Sequence, residues 1–187
     1  MPSAPSRDPS PRARSDETRR RFAALVLESR VALVAYLLHR GTDRDRAEDC
    51  VQEALVRAYG SLPSLESWET ARGWLFGIAR HVFLDDTRRR AGTRRVEPME
   101  SEAAPAAVEP DADRALDGKR ISQTVARAVE RLEPPKPEIL QLHYGAGLLV
   151  EEIAEALGMP EATVKTHLRR ARMALRKQLV CEGVHHA

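Results

Sequence analysis

Apolar residues along this chain recur at three- and four-residue steps, the spacing that places side chains on one face of a helix. Phe22, Leu25, Val26, Leu33, Tyr36 and Leu37 mark a first helix from about residue 17 to 40, which Gly41 ends. Thr42 or Asp43 can cap a second, which runs to about Tyr59. Its inner face is Ala47, Cys50, Val51, Ala54, Leu55 and Ala58. Its outer face carries Glu48, Asp49, Gln52, Glu53 and Arg57. Residues 60–67 read as a loop holding Leu62, Ser64 and Ser67. A third helix spans about 70–90, with Trp74, Leu75, Ile78, Val82 and Phe83 apolar, and ends in Arg88, Arg89 and Arg90. From 91 to about 112 the periodicity is lost among Pro98, Pro105 and Pro110, the mark of a linker. Helical patterns return at about 113–132 and 135–144. The expected fold class is all-α: two small helical domains, 17–90 and 113–180, joined by a flexible acidic linker at 91–112. Residues 1–16, rich in Pro, Ser and Arg, are expected to be a disordered arm, and 181–187 a short tail.

The most specific pattern lies near the end. Ile153, Ala154 and Leu157 mark a short helix, which Gly158, Met159 and Pro160 break. From about Glu161 a second helix buries Val164, Leu168, Ala171 and Leu175. Its other face carries Lys165, Thr166, His167, Arg169, Arg170 and Arg172. Two helices, a tight turn and a second helix apolar inside and cationic outside predict a helix-turn-helix within the second domain. Such a helix fits the DNA major groove, where Lys and Arg neutralise phosphates and Arg, Lys or Thr reach base edges. The plain alternative is a solvated cationic helix on an ordinary bundle.

Composition sharpens this picture. The 187 residues are 42% hydrophobic but only 4% aromatic, which suits packed helices better than sheets. Net charge is only +2, so no global basic field exists. The charge is sorted instead: Glu97 to Asp117 is strongly acidic, and Glu161 to Lys177 strongly basic. Cys50 and Cys181 lack metal-ligand spacing, and a reducing cytoplasm is the expected location. No apolar run suggests a signal peptide or membrane insertion. His39, His81, His143 and His167 are scattered over separate helices, without a nucleophile–base pattern, a phosphate loop or ligand spacing. No metal, no cofactor and no enzymatic activity are therefore expected.

Two further constellations carry chemistry. Glu48, Asp49, Gln52 and Glu53 form a face able to accept bonds from a basic partner helix, or simply a solvated face. On the third helix Arg80, His81, Asp85 and Arg88 form a polar stripe beside an apolar one. Single-stranded DNA is held by base pockets next to cationic phosphate contacts. Trp74 could stack a base there or belong to the core.

The order AEDCVQEALVRAY, WLFGIARHVFLDDTRRR, an acidic linker and EEIAEALGMPEATVKTHLRRAR resembles the bacterial extracytoplasmic-function sigma factors over about residues 17–180. The resemblance implies the second and fourth domains of larger sigma factors, binding to core RNA polymerase, and direction of promoter recognition, opening and initiation. It implies that Glu48, Asp49, Gln52, Glu53 and Arg57 dock on the clamp helices of the largest polymerase subunit, and that the second domain meets the flap of the second-largest. It implies a −10 element site of Leu62, Ser64, Ser67, Trp74, Arg80, His81, Asp85, Arg88 and Arg89. It implies a −35 element site of Thr163, Lys165, Thr166, His167, Arg169, Arg170 and Arg172, and sequestration by an anti-sigma factor. Cys50, Ala54, Tyr59, His81 and His167 depart from the residues common in the family. A linker of about 20 residues reaches at most roughly 70 Å, about two DNA turns of roughly 34 Å each. Its acidity could imitate nucleic acid or merely solvate a tether. The competing function is an autonomous helix-turn-helix regulator that binds duplex DNA without polymerase.

Overall fold

The computed structural model describes residues 11–93 and 123–181, and the expectations for the arm ahead of residue 11, most of the linker and the tail fall outside them. Among the described residues every regular element is helical. Helix α1 spans Pro11–Leu38, α2 Arg44–Gly60 and α3 Ala71–Thr93. Residues 123–130 form α4, followed by α5 at Lys136–Leu140, α6 at Val150–Leu157 and α7 at Glu161–Cys181. A 3-10 turn at Leu62–Ser64 interrupts the loop after α2, and α5 runs on as a π turn at Gln141–Gly145.

Local chemistry sets these bounds. Gly41, at φ +80°, lets the chain leave α1, and Asp43 caps α2 by accepting from the Arg46 N–H at 2.8 Å. Helix α1 starts at Pro11, ahead of the first apolar repeat at Phe22, because 11–21 reads polar yet is rich in good helix formers. Gly158, at φ +62°, closes α6 in the left-handed conformation, and α7 begins directly after Pro160.

Helices α1–α3 share a core of Phe22, Leu33, Tyr36, Leu37, Val51, Ala54, Leu75, Phe76, Val82 and Phe83. Helices α5–α7 bury Ile139, Leu140, Leu142, Ile153, Ala156, Val164, Leu168 and Ala171. The expected inner faces of α2 and α7 are thus the buried ones, except that Leu55 and Leu175 are half-buried. Arg46 braces α2 to α3, its Nε 2.6 Å from Asp86 and its second guanidinium nitrogen 2.9 Å from the Thr87 hydroxyl. Arg90 joins Asp86 at 3.1 Å.

The two helical groups pack on one another and their apolar residues merge into one cluster. Helix α6 lies along α3 where Gly73 and Gly77 leave no side chain in the way. A Cβ at Gly73 would run into the Glu152 carbonyl, and one at Gly77 would sit 3.3 Å from the Ala156 carbonyl oxygen. At Gly73 this is a backbone-to-backbone approach that only glycine permits, and at Gly77 a side chain would be tight.

Candidate nucleic-acid interface

Helix α7 owes its two faces to the alternation of the sequence. Val164, Leu168 and Ala171 point into the core, so Lys165, Arg169 and Arg170 are carried outward and are exposed. Lys165 is joined at 3.0 Å to Glu161 one turn earlier. Such an exposed pair is worth little and yields readily to a phosphate.

Three expected outer-face residues lie differently. The hydroxyl of half-buried Thr166 donates to the Ala162 carbonyl at 2.8 Å. His167 is half-buried, with Nδ1 enclosed and unbonded, because it sits next to the buried Leu168 at the edge of the apolar face. Arg172 folds back on its own domain: its Nε donates to the Tyr144 hydroxyl at 2.6 Å and its guanidinium lies 5.6 Å from the ring centre. Thr163 is half-buried in the first turn, its N–H bonded to the Pro160 carbonyl at 2.9 Å.

On α2, Asp49 and Gln52 are exposed and Glu48 and Glu53 half-exposed, forming one continuous polar face. Glu48 pairs with Arg44 at 3.5 Å, and Glu53 with Arg57 and, at 3.9 Å, with Arg89 of α3. Arg57 also lies 3.7 Å from Asp85. The Glu53–Arg89 and Arg57–Asp85 pairs join α2 to α3, and Asp49 and Gln52 stay open to solvent.

The stripe on α3 divides. His81 is exposed, with Nδ1 2.7 Å from the Gly77 carbonyl. Arg88 is exposed and sits 3.6 Å from Asp85. Arg80 is turned to the other half of the chain: its Nε is 3.0 Å from Glu138 Oε1. That oxygen also accepts from the Tyr36 hydroxyl at 2.7 Å and from Arg40 at 2.6 Å. Burial and then the Glu138 charge push the Tyr36 hydroxyl well above the usual tyrosine range, against the lowering pull of Arg40, so it stays a donor. Trp74 and Leu62 are half-buried and pack against the core, which supports the core reading of Trp74. Ser64 donates to the Ser61 carbonyl at 2.7 Å, and Ser67 accepts from the Glu69 N–H at 3.1 Å, so both shape the loop ahead of α3.

Arg72, Tyr144 and Glu138, which no local pattern singles out, all touch these faces. Arg72 donates to the Ala146 carbonyl at 2.9 Å and lies 3.9 Å from the buried Glu152. The spacing of Gly73 and Gly77 is the one sequence signal that could have announced the contact. Cys50 is buried, and burial followed by the Asp86 charge raises its thiol pKa, so it is an inert core residue. Partial burial alone would raise the Asp86 pKa, but hydrogen bonds from Arg46 and Arg90, with their charges, hold it below the ordinary carboxylate range. Among the described residues no three His, Cys, Asp or Glu side chains are grouped to hold a metal, and no helix is long and apolar enough to cross a membrane.

A helical group with an acidic face, followed by a second bearing a helix-turn-helix, defines a sigma-type architecture. The sequence pattern of sigma-70 region 2 matches residues 25–93, and that of sigma-70, region 4 matches residues 122–175. The chain is 33% identical over 163 residues to the ECF RNA polymerase sigma factor SigL of Mycobacterium tuberculosis, covering 86% of this chain and 90% of that one. It is 32% identical over 143 residues to SigW of Bacillus subtilis, covering 71% and 75%. Among solved structures, the sigma factor RpoE of Bartonella quintana, in complex with the anti-sigma factor NepR, aligns with a TM-score of 0.58 at 26% identity, over 88% of this chain and 95% of that one. The chain belongs to the ECF RNA polymerase sigma factors. It is an alternative sigma factor that serves transcription initiation.

Proposed function

We propose that the chain docks on core RNA polymerase through α2 and reads a promoter with α3 and α7, acting without catalysis of its own and in the cytoplasm. Helix α2 offers Glu48, Asp49, Gln52 and Glu53, with Arg57, to the clamp helices of the largest subunit. The Leu62–Ser67 loop and α3, through Arg80, His81, Asp85, Arg88 and Arg89, engage the opened strand of the −10 element. Helix α7 reads the −35 duplex through Lys165, Arg169 and Arg170. Residues 17–90 and 113–180 act as two domains, tethered by the linker between them. The observation that carries this reading is α7 itself, whose Val164, Leu168 and Ala171 are buried while Lys165, Arg169 and Arg170 stand exposed. The Bartonella relative is bound to an anti-sigma factor, which supports sequestration of this chain by a partner of the same kind.

The test is transcription in vitro from genomic DNA by core polymerase with and without the protein, followed by sequencing of the transcripts. New start sites sharing two upstream elements about two helical turns apart are expected. Duplex binding by the protein alone, with no new starts when core is added, would favour the autonomous regulator.

A further inference from the structure

We propose that Tyr144, with His143 beside it, aims Arg172 at the DNA backbone next to the −35 element, making a phosphate clamp on the flank of α7. The inference rests on the reading of α7 as the helix that enters the −35 duplex. Arg172 stands three residues after Arg169 and seven after Lys165, so the three share one row along the helix. It is exposed, yet it is held in one place. Its Nε donates to the Tyr144 hydroxyl at 2.6 Å, its Nη2 lies 3.3 Å from His143 Nε2, and its guanidinium sits over the Tyr144 ring. Both holding groups come from the π turn that ends α5, outside the helix-turn-helix. Tyr144 is 63% exposed, so its ring adds little to the core and is free to serve Arg172.

The His143 ring is fixed in its turn. Its Nδ1 is 3.0 Å from the Leu148 carbonyl, an atom that only accepts, so Nδ1 carries the proton and Nε2 is the acceptor that faces Arg172. The His143 and Tyr144 rings meet edge to face, with centres 4.8 Å apart. Arg172 thus spends two nitrogens on the protein, and among the described residues Nη1 has no bond. A charged group fixed before binding loses little freedom when a phosphate arrives. From Lys165 to Arg172 the helix rises about 10 Å, and the major groove is about 12 Å wide. A helix that sets Lys165 over the bases therefore brings Arg172 to the wall of the groove, where the phosphates run. The tie that takes Arg172 off the bases gives it a backbone contact, which adds affinity and no sequence preference.

The full chain with core polymerase, on promoters recovered by transcript sequencing, provides the test. Arg172→Ala should reduce the salt slope of promoter binding by about one, so that its deficit against the parent shrinks about 3.5-fold between about 50 and 200 mM salt. Ethylation of one phosphate beside the −35 element should block the parent and leave Arg172→Ala indifferent. Tyr144→Phe keeps the ring and the arginine charge and removes the tie. It should weaken binding about fivefold at every salt concentration, the scale of one hydrogen bond, and add nothing in the Arg172→Ala background. Base preference at every −35 position should match the parent in both variants. A salt slope and ethylation pattern of Arg172→Ala equal to the parent's would overturn the clamp while the promoter reading stood. A Tyr144→Phe loss of the same size in both backgrounds would mean that the hydroxyl supports only the fold, and would overturn its positioning role. A parent that yields no new start sites would overturn the reading of α7 and the clamp with it.

Discussion

Helices α3 and α7 carry similar charge and similar apolar stripes, yet the structure treats them differently. On α7 the cations at 165, 169 and 170 are exposed, and Lys165 pairs with Glu161 of the same helix. On α3, Arg72 and Arg80 are half-buried, and their partners come from residues more than fifty positions away. A cationic stripe read from sequence is thus an inventory of charge. Whether that charge is free for DNA depends on what else packs against the helix. The π turn carries Tyr144, which withdraws even Arg172 of α7 from the reading face.

The largest expected effect tests the surface that neither helix covers. Changing Asp49 and Glu53 together to Lys sets like charges against the proposed partner, a juxtaposition that costs several kcal/mol. Co-purification with core polymerase should fail while the circular dichroism stays helical, since Asp49 is exposed and the solvent-open pairs of Glu53 with Arg57 and Arg89 are worth about 1 kcal/mol or less each. Unaltered co-purification would remove α2 from the docking surface.

The next effect sharpens the account of α7. Arg169→Ala and Arg170→Ala should differ in kind, one relaxing preference at a single −35 position by roughly 1–3 kcal/mol. The other should weaken all promoters alike and reduce the salt slope by about one. Selection profiles and salt slopes equal to the parent in both variants would mean that the two arginines merely solvate the helix.

A smaller effect isolates the open part of α3. His81 is exposed and its Nδ1 bonds within its own helix, so His81→Ala reads strand engagement with little change to the fold. Open-complex yield in permanganate footprints should fall by roughly 1 kcal/mol, the scale of one hydrogen bond. Closed-complex binding that collapses while opening stays normal would contradict the assignment.

The smallest effect concerns the α2–α3 brace, on which both faces depend. Asp86 has a depressed folded pKa, so its stabilisation is fully present above the unfolded value of about 3.9 and is lost as pH falls through the folded one. Urea unfolding from pH 6 downward should show the parent losing stability relative to Asp86→Asn in that acid window. Parallel curves for the two proteins would assign the acid sensitivity elsewhere.

Much of the architecture was legible because helices announce themselves locally. Gly41, Gly158 and Pro160 act through backbone preferences and Asp43 through a side-chain cap three residues away; none needs a distant partner, and each stands at the helix boundary it was expected to mark. The inner faces of α2 and α7 followed from a 3.6-residue period, and they are buried because burial follows that same period. Trp74 was ambiguous in sequence because a stacking platform and a core aromatic share one spacing. Only the surrounding core decides between them.

The sequence by itself determined the helices, their caps, the helix-turn-helix and the sorting of charge, since each arises from interactions within about one helical turn. The tertiary structure alone decided which charges are spent. Glu138 lies 58 residues from Arg80 and 102 from Tyr36, and no local period relates them. Their meeting depends on the close approach of α6 to α3 at Gly73 and Gly77, a shape complementarity between surfaces that residue order does not encode in any short window.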